Sequence, residues 1–166
     1  MAEKTLEDLF HDTLKDIYYA ERKILKTLPK MARGAQSPKL KAAFETHKEE
    51  TEDQVERLQQ VFEIIGKRPR AKTCPAIDGI VEEGEEIMEE FKGTAALDAG
   101  LLAAAQAVEH YEISRYGTLR AWAQQLGYKD AVKLLDATLS EESKTDEALT
   151  KLAETAVNTA AQKKAA

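Results

Sequence analysis

Residues 108–119, VEHYEISRYGTL, place two glutamates inside an otherwise apolar and aromatic helical stripe. Glu109 and Glu112 are three positions apart, so they lie on the same face of a helix. The full stripe runs through Leu102, Ala105, Glu109, Glu112, Tyr116 and Leu119. An ionised carboxylate inside a bundle of helices is costly unless a partner stabilises it. The stretch therefore indicates a buried helix whose carboxylates share a partner.

Three other segments repeat this arrangement on a smaller scale. Each has apolar residues at helical spacing and a glutamate in the middle of the stripe, namely Glu21, Glu50 and Glu142. The four long helices that this spacing predicts cover about 5–33, 38–65, 94–126 and 130–158. One central glutamate in every long helix is the pattern expected if the four helices converge on one site.

Local signals mark the ends of these helices. Thr5 opens the first helix in a capping-box pattern, and Ser37 followed by Pro38 opens the second. Thr94 is the expected cap of the third long helix, and Gly127 is its expected end. The loops within each pair of helices are short, which predicts two antiparallel hairpins.

The connection between the two hairpins is long, from Lys67 to Gly93. Pro75 opens an expected short helix over about 75–91 within it. A helix of about 28 residues is roughly 42 Å long, so a connection of this size can return the chain along the bundle. Ferritin-like bundles have one such crossover, whereas simple up-down bundles have short loops. The sequence predicts an all-α, ferritin-like antiparallel four-helix bundle with an additional crossover helix, as one domain over residues 1–166 with a frayed C-terminal tail.

Composition narrows the classes of function. The formal net charge is -6 and the pI is about 5.2, with no basic stripe, so we expect no nucleic-acid partner. No window approaches the ~18 apolar residues of a membrane span, and the charged N-terminal segment lacks the apolar core of a signal peptide. Cys74 is the single cysteine, so no disulfide can form within the chain. We expect a soluble cytoplasmic protein with no membrane partner.

The central glutamates indicate a metal site. A pair of divalent ions is a good common partner for converging carboxylates, and carboxylate-rich sites with little imidazole suit iron or manganese. His47 lies three positions before Glu50 and shares its helix face. The expected ligands are Glu21, His47, Glu50, Glu109, Glu112 and Glu142.

Each expected ligand also has a plainer interpretation. Glu50 belongs to the acidic run 49–53, and Glu142 follows Glu141, so solvated surface positions stay open for both. His47 is equally compatible with a hydrogen-bonded core histidine. Four further polar residues would either orient the ligands or form a small polar network, namely Thr51, Gln54, Tyr116 and Thr145.

Four segments together carry a family resemblance over nearly the whole chain. They are YYAERKILKTLPKMA (18–32), FETHKEETEDQVERL (44–58), AAAQAVEHYEISRYGTLRAWAQQLGY (103–128) and EESKTDEALTKLA (141–153). The chain resembles the bacterial YciF/YciE family of ferritin-like proteins, and VEHYEISRYGTL is the most specific part of the likeness. The resemblance implies a ferritin-like bundle with an extra crossover helix, a homodimer and an association with stress responses. It does not supply a reaction.

The wider di-iron pattern has Glu on the first and third helices and Glu-x-x-His on the second and fourth. The glutamates that match it are Glu21, Glu50, Glu109, Glu112 and Glu142, the third-helix pair being similar to that of rubrerythrin. Asp53 and Thr145 stand where the two histidines of the pattern would be. The residues that remain open as replacements for those histidines are His47, Gln54 and Asp146.

These observations lead to two expectations about function. The first is a cytoplasmic stress-response protein with a carboxylate-bridged dinuclear iron or manganese site, acting in peroxide or oxygen chemistry or in iron handling. The alternative is a non-enzymatic helical protein with a structural or interaction role in the stress response and a degenerate or empty metal site. Whether the protein is an enzyme stays open at this point.

Overall fold

Five main helices form in the computed structural model, which describes residues 3–163. Their bounds are α1 Leu6–Gly34, α2 Pro38–Ile64, α3 Pro75–Glu90, α4 Leu97–Leu126 and α5 Lys129–Leu152. After α5 the chain continues through a π-helical turn, Ala153–Val157, into the short α6, Asn158–Ala161. The described residues contain no β-strand, and the expected all-α class is confirmed.

Most helix ends follow the local chemistry of the sequence. The Thr5 hydroxyl accepts a hydrogen bond from the Asp8 amide, and the Asp8 carboxylate accepts one from the Thr5 amide, which completes a capping box. Ser37 accepts from the Leu40 amide at the start of α2. Gly127 ends α4 with φ of 80°, a left-handed conformation that glycine adopts at little cost.

The expected cap of α4 is wrong. Thr94 donates its hydroxyl to the Phe91 carbonyl at 2.8 Å, and α4 begins at Leu97 without a side-chain cap. Asp98 in its first turn accepts hydrogen bonds from the Gln36 and Ser37 amides at 2.7 and 2.6 Å. The start of α4 is therefore fixed to the turn between α1 and α2, and its carboxylate serves the backbone of that turn.

Contacts between helices define the topology. Tyr111 contacts Asp16 and Asp98 contacts Gln36, so α4 runs antiparallel to α1. In the same way Thr145 contacts Glu50 and Glu141 contacts Arg57, so α5 runs antiparallel to α2. Because α1 and α2 also form an antiparallel hairpin, α2 and α4 are parallel to each other across the bundle. This arrangement is the ferritin-like topology that the long connection predicted.

The crossover helix α3 packs on the outside of α1 and α4. The Tyr19 hydroxyl donates to Asp78 at 2.9 Å, and Lys30 lies 2.8 Å from Glu85. Gly100 allows a close approach to α4, because a Cβ at this position would lie 2.6 Å from Cγ2 of Ile87. Cys74 begins α3 by accepting a hydrogen bond from the Ile77 amide at 3.4 Å.

The interior is apolar at both ends of the bundle and polar in the middle. At one end, Phe62 packs edge-on against Tyr18 with ring centres 5.5 Å apart, and Phe10 lies 5.9 Å from Tyr128. At the other end the buried side chains are mostly aliphatic, including Leu28, Met31, Leu40, Leu101 and Leu149. Between these layers lie buried glutamates from three of the four long helices. Within residues 3–163, none of the helices combines the length and apolar character needed to cross a bilayer.

Candidate metal centre

Four side chains converge at the middle of the bundle. His47 from α2, Glu109 and Glu112 from α4, and Glu142 from α5 each offer a donor atom, and these atoms all lie within 4.8 Å of one another. All four residues are buried. The three-residue spacing of Glu109 and Glu112 sends both carboxylates to the same side of α4. The group therefore combines three carboxylates and one imidazole in a layer that is almost fully shielded from bulk water.

Glu21 adds a carboxylate from α1, so that each long helix contributes to the polar layer. Its side chain has no exposure, and its Oε1 accepts a hydrogen bond from the Tyr116 hydroxyl. Burial, followed by the negative charge of Glu142, raises the pKa of Glu21 to about 8. The Tyr116 hydrogen bond acts in the opposite direction by favouring the charged form.

The polar layer has an unusual number of unsatisfied atoms. Among the described residues, nine buried side-chain atoms have no hydrogen-bond partner. They are Glu21 Oε2, His47 Nδ1 and Nε2, Gln54 Oε1, Glu109 Oε2, both carboxylate oxygens of Glu112 and both of Glu142. Buried polar atoms are normally paired, since leaving one unpaired costs about 1–3 kcal/mol. Eight of the nine belong to the converging residues, and all eight are atoms that can bind a cation.

Burial and the closeness of the carboxyl groups to one another change the pKa values in the cluster. Burial, and then the proximity of Glu142, raises the pKa values of Glu109 and Glu112 well above the ordinary glutamate value. Burial lowers the pKa of His47, which favours the neutral imidazole with a free lone pair. His47 Nε2 lies 3.2 Å from Glu109 Oε1, although the two atoms do not form a hydrogen bond. Without a cation these raised pKa values favour the protonated forms of Glu109 and Glu112, and a cation would displace those protons.

Glu50 occupies a different position from the other expected ligands. It is half-buried, outside the four-donor group, and its Oε2 accepts a hydrogen bond from the Thr145 hydroxyl at 3.2 Å. Burial raises its pKa, and Thr145 partly opposes that change. Glu50 lines an open cleft of about 320 Å³ between α2 and α5, together with Thr46, His47 and Lys144. Glu50 therefore lies at the mouth of the polar layer and remains an expected ligand on its open side.

The neighbouring glutamates on α5 have separate partners. Glu142 is buried in the cluster, whereas Glu141 accepts two hydrogen bonds from the Arg57 guanidinium, both at 2.7 Å. Gln54 donates its amide to the same Glu141 carboxylate at 3.1 Å. Sequence reasoning missed Arg57, although its position three residues after Gln54 puts it on the same face of α2. This pairing leaves Glu142 as the inward member.

The chain matches a known protein family over almost its whole length. The sequence profile of the domain of unknown function DUF892 matches residues 5–162. The chain belongs to this family. It is 47% identical to protein YciF of Escherichia coli strain K12 over 163 residues, which covers 98% of each chain. The resemblance to the YciF family is thereby confirmed.

Solved structures agree with this membership. The crystal structure of the E. coli stress protein YciF matches with a TM-score of 0.89 at 46% identity, covering 94% of this chain and 99% of the other. YcfI of Rhodopseudomonas palustris, whose suggested role is structural, matches with a TM-score of 0.86 at 48% identity, covering 89% and 94%. A Xanthomonas campestris protein at 23% identity and TM-score 0.72 covers 93% and 94% and supports the fold alone.

The residues left open as histidine replacements have different surroundings in this DUF892 protein. His47 joins the four-donor group. Asp146 lies 3.1 Å from the exposed His110 and accepts from Gln106 at 3.2 Å, so its contacts are near the surface. Gln54 is fully buried and directs its amide to Glu141. Among these three, the geometry favours His47 as the nitrogen donor.

Proposed function

We propose that this DUF892 protein is a ferritin-like stress-response protein whose bundle centre binds a dinuclear iron or manganese site. The observation that carries the proposal is the set of eight unpartnered donor atoms on five buried residues in the middle layer. A bundle that kept this layer only for folding would gain from apolar residues there, since unpaired buried polar groups are destabilising. Divalent cations would supply the missing partners.

The residues that would hold the ions are Glu21, His47, Glu109, Glu112 and Glu142, with Glu50 at the open side of the layer. Oxygen-rich donor sets with one imidazole fit iron or manganese, while zinc sites usually carry more cysteine or histidine. Two divalent ions would bring four positive charges against five carboxylates. The near balance supports a pair of ions rather than one.

Bound iron or manganese would supply electron exchange with peroxide or dioxygen, or would itself be the stored cargo. The chain's own contribution is to hold and release protons at the carboxyl groups and to keep water out of the layer. Tyr116 orients Glu21, and Thr145 orients Glu50. Peroxide reduction, oxygen-dependent oxidation and iron handling all remain within the proposal.

The first test is elemental analysis of the untagged full-length protein, purified without chelator from cells supplied with iron and manganese. We expect about two metal ions per chain. The variants Glu112→Gln and Glu142→Gln keep the shape of the side chains and remove donor charge, so they should lose the metal. Glu147→Gln, an exposed position on α5, is the matched control and should keep it. The absence of stoichiometric metal even after anaerobic loading with Fe²⁺ would overturn the proposal.

A second candidate is a non-enzymatic structural protein with an empty centre. It is favoured by the suggested structural role of the R. palustris relative and by the raised pKa values that let the carboxyl groups stay neutral. In that case Glu142→Gln should leave the melting temperature level or raise it. In a metal protein the same variant should lose the part of the melting temperature that depends on added metal.

We also propose that the protein is a homodimer and is located in the cytoplasm. Sedimentation equilibrium of the metal-loaded and metal-free protein tests the first. Fractionation of the native host tests the second.

A further inference from the structure

An open cleft of about 290 Å³ lies between α1 and α4, beside the segment that leads into α3. Its walls include Asp12 and Asp16 from α1, Lys72 from the connecting segment, and Arg115 and Trp122 from α4. Within the described chain, it shares no lining residue with the four-donor group or with the cleft between α2 and α5. This cleft is therefore separate from the candidate metal centre.

Arg115 brings to the cleft a positive charge that has no anionic partner in the protein. Within residues 3–163 it forms no ion pair, whereas Arg57 and Arg120 each bind a carboxylate. The central carbon of its guanidinium lies 5.2 Å from the ring centre of Tyr111, and this cation–π contact holds the group in place. A guanidinium presents its N–H donors in a planar fork that matches a carboxylate. Arg115 is therefore suited to a carboxylate ligand.

The aromatic ring beneath Arg115 is itself fixed from two sides. Tyr111 donates its hydroxyl to Asp16 Oδ2 at 2.8 Å, and the same hydroxyl lies 3.0 Å from the sulfur of Cys74. These contacts join α4 to α1 and to the residue that begins α3. Because the stacked guanidinium is supported by three elements, little conformational freedom is lost when a ligand binds to it.

Asp16 places a negative charge in the same cleft. Its Oδ2 accepts from Tyr111, whereas its Oδ1 accepts no N–H or O–H hydrogen bond within residues 3–163. Asp12 differs, because both of its oxygens have lysine partners, and one of these is Lys72 at 2.5 Å. The charges that remain for a ligand are therefore the cation of Arg115 and the anion of Asp16.

The other walls offer hydroxyl groups and an aromatic surface. Thr13 and Thr118 line the cleft, and in the part of the chain that the structure describes their hydroxyl groups bind no other residue. Trp122 is half-buried, so its indole can contact an apolar side chain while the cleft stays open to solvent.

We propose that this cleft binds a free α-amino acid, with its carboxylate on Arg115 and its ammonium group on Asp16. Arg115 stacks on the Tyr111 ring and Asp16 accepts from the hydroxyl of that ring, so one small zwitterion can reach both charges. A plain carboxylate would leave Asp16 without a partner, and a phosphate dianion would be repelled by it. The side chain of the amino acid would lie against Trp122. The inference goes beyond the proposed metal site and does not depend on it.

The fluorescence of Trp122 tests the inference directly, because Trp122 is the single tryptophan of the chain. The untagged full-length protein is titrated, in the presence of a chelator, with each standard α-amino acid up to about 10 mM. Tryptophan and tyrosine, which fluoresce themselves, are titrated by calorimetry. We expect saturable binding of at least one amino acid with a Kd between about 1 µM and 1 mM. No saturable binding of any of them would overturn the inference.

Derivatives of the amino acid that binds most tightly separate the two charges. The N-acetyl derivative keeps the carboxylate and represents the carboxyl terminus of a peptide, and the methyl ester keeps only the ammonium group. Both should bind at least about tenfold more weakly. Equal or tighter binding of the N-acetyl derivative would assign the cleft to a peptide terminus, and equal binding of acetate would indicate a general anion site. Either result would overturn the inference.

Substitutions on the two helices identify the groups that bind. Arg115→Gln should raise the Kd for the amino acid by about 10–100-fold. Asp16→Asn keeps an acceptor for Tyr111, and it should weaken binding of the amino acid but not of its N-acetyl derivative. Arg120→Gln, an exposed position on α4, is the control and should keep the wild-type Kd.

Circular dichroism checks that each variant is folded. If Arg115→Gln does not fold, Arg115→Lys keeps the charge without the planar fork and should still raise the Kd about tenfold. An unchanged Kd in a folded Arg115 variant, or in Asp16→Asn, would overturn the inference. Because the titrations contain a chelator, their outcome is independent of whether the bundle centre binds metal.

Discussion

The Tyr116 hydroxyl donates a hydrogen bond to Glu21 Oε1 between two side chains that have no exposure to solvent. The bond joins α4 to α1 at the level of the polar layer. It leaves Glu21 Oε2 without a protein partner. Tyr116 thus fixes which oxygen of Glu21 is turned toward the other carboxylates, which is how a neighbouring residue orients a metal ligand.

Replacing Tyr116 by phenylalanine should weaken metal binding without disrupting the bundle. The variant removes the hydroxyl, frees Glu21 to rotate and raises its pKa, so we expect the Fe²⁺ or Mn²⁺ affinity to fall by about 10–100-fold. Titration calorimetry under anaerobic conditions measures the change. Tyr18→Phe is the matched control. Tyr18, on α1, is buried like Tyr116, but its hydroxyl accepts a hydrogen bond from Gln59 and does not contact an expected ligand. Equal affinities in wild type and Tyr116→Phe would contradict the orienting role.

The stability of the metal-free protein should fall as pH rises from about 4.5 to 8. The pKa of Glu21 is about 8 in the folded chain against an ordinary value of 4.5, and those of Glu109 and Glu112 are also raised. Between pH 4.5 and pH 8 the folded chain retains protons on these glutamates that the unfolded chain has released. The contribution of these protonated carboxyl groups to folding stability is therefore complete below pH 4.5 and is lost toward pH 8.

Melting temperatures in the presence of a chelator check this dependence. Glu21→Gln should reduce the slope of melting temperature against pH, because the amide does not titrate while Glu109 and Glu112 still do. The exposed control Glu147→Gln should keep the wild-type slope. Added Fe²⁺ or Mn²⁺ should reverse the trend, since the cations bind the deprotonated form. A metal-free melting temperature that rises across this pH range would show that the buried carboxyl groups do not retain their protons.

The sequence predicted the fold well because the helical spacing extends over long segments and the end signals are strong. The Thr5 capping box and the Gly127 end act within three residues and need no tertiary information. The prediction of Thr94 as the cap of α4 was wrong because the start of that helix is fixed by a distant contact. Asp98 binds the backbone of a turn more than sixty positions earlier. The π-helical turn at Ala153–Val157 likewise had no signal in the stripe.

The candidate site was harder to predict in detail. The periodicity of apolar residues placed the glutamates at the correct height along the bundle. It could not decide which of two adjacent glutamates faces the core, because their directions differ by only about 100°. Glu142 is inward because Arg57 engages Glu141 from another helix, which local sequence does not reveal. Glu50 is shifted toward the cleft and is engaged by Thr145 on α5. Such choices depend on packing between helices.

Arg57 should contribute more to stability than a comparable surface arginine. Its side chain and that of Glu141 are 23% and 27% exposed, and two hydrogen bonds of 2.7 Å join them. We expect Arg57→Ala to lower the free energy of unfolding by about 1.5–3 kcal/mol. Arg120 pairs with Asp136 at 45% and 57% exposure, and Arg120→Ala should cost less than about 1 kcal/mol. Urea unfolding compares the two variants, and equal losses would contradict the special role of Arg57.

Two glycines within α4 should respond in opposite directions to the same substitution. A Cβ at Gly117 has no neighbour within 4 Å, so Gly117→Ala should stabilise the protein by about 1 kcal/mol through its better helix propensity. A Cβ at Gly100 would lie 2.6 Å from Ile87 Cγ2, so Gly100→Ala must displace α3 or the Ile87 side chain. We expect its melting temperature to fall below that of the wild type, with Gly100→Ala combined with Ile87→Ala relieving the clash. A rise in both single variants would mean that α3 is free to move away from α4.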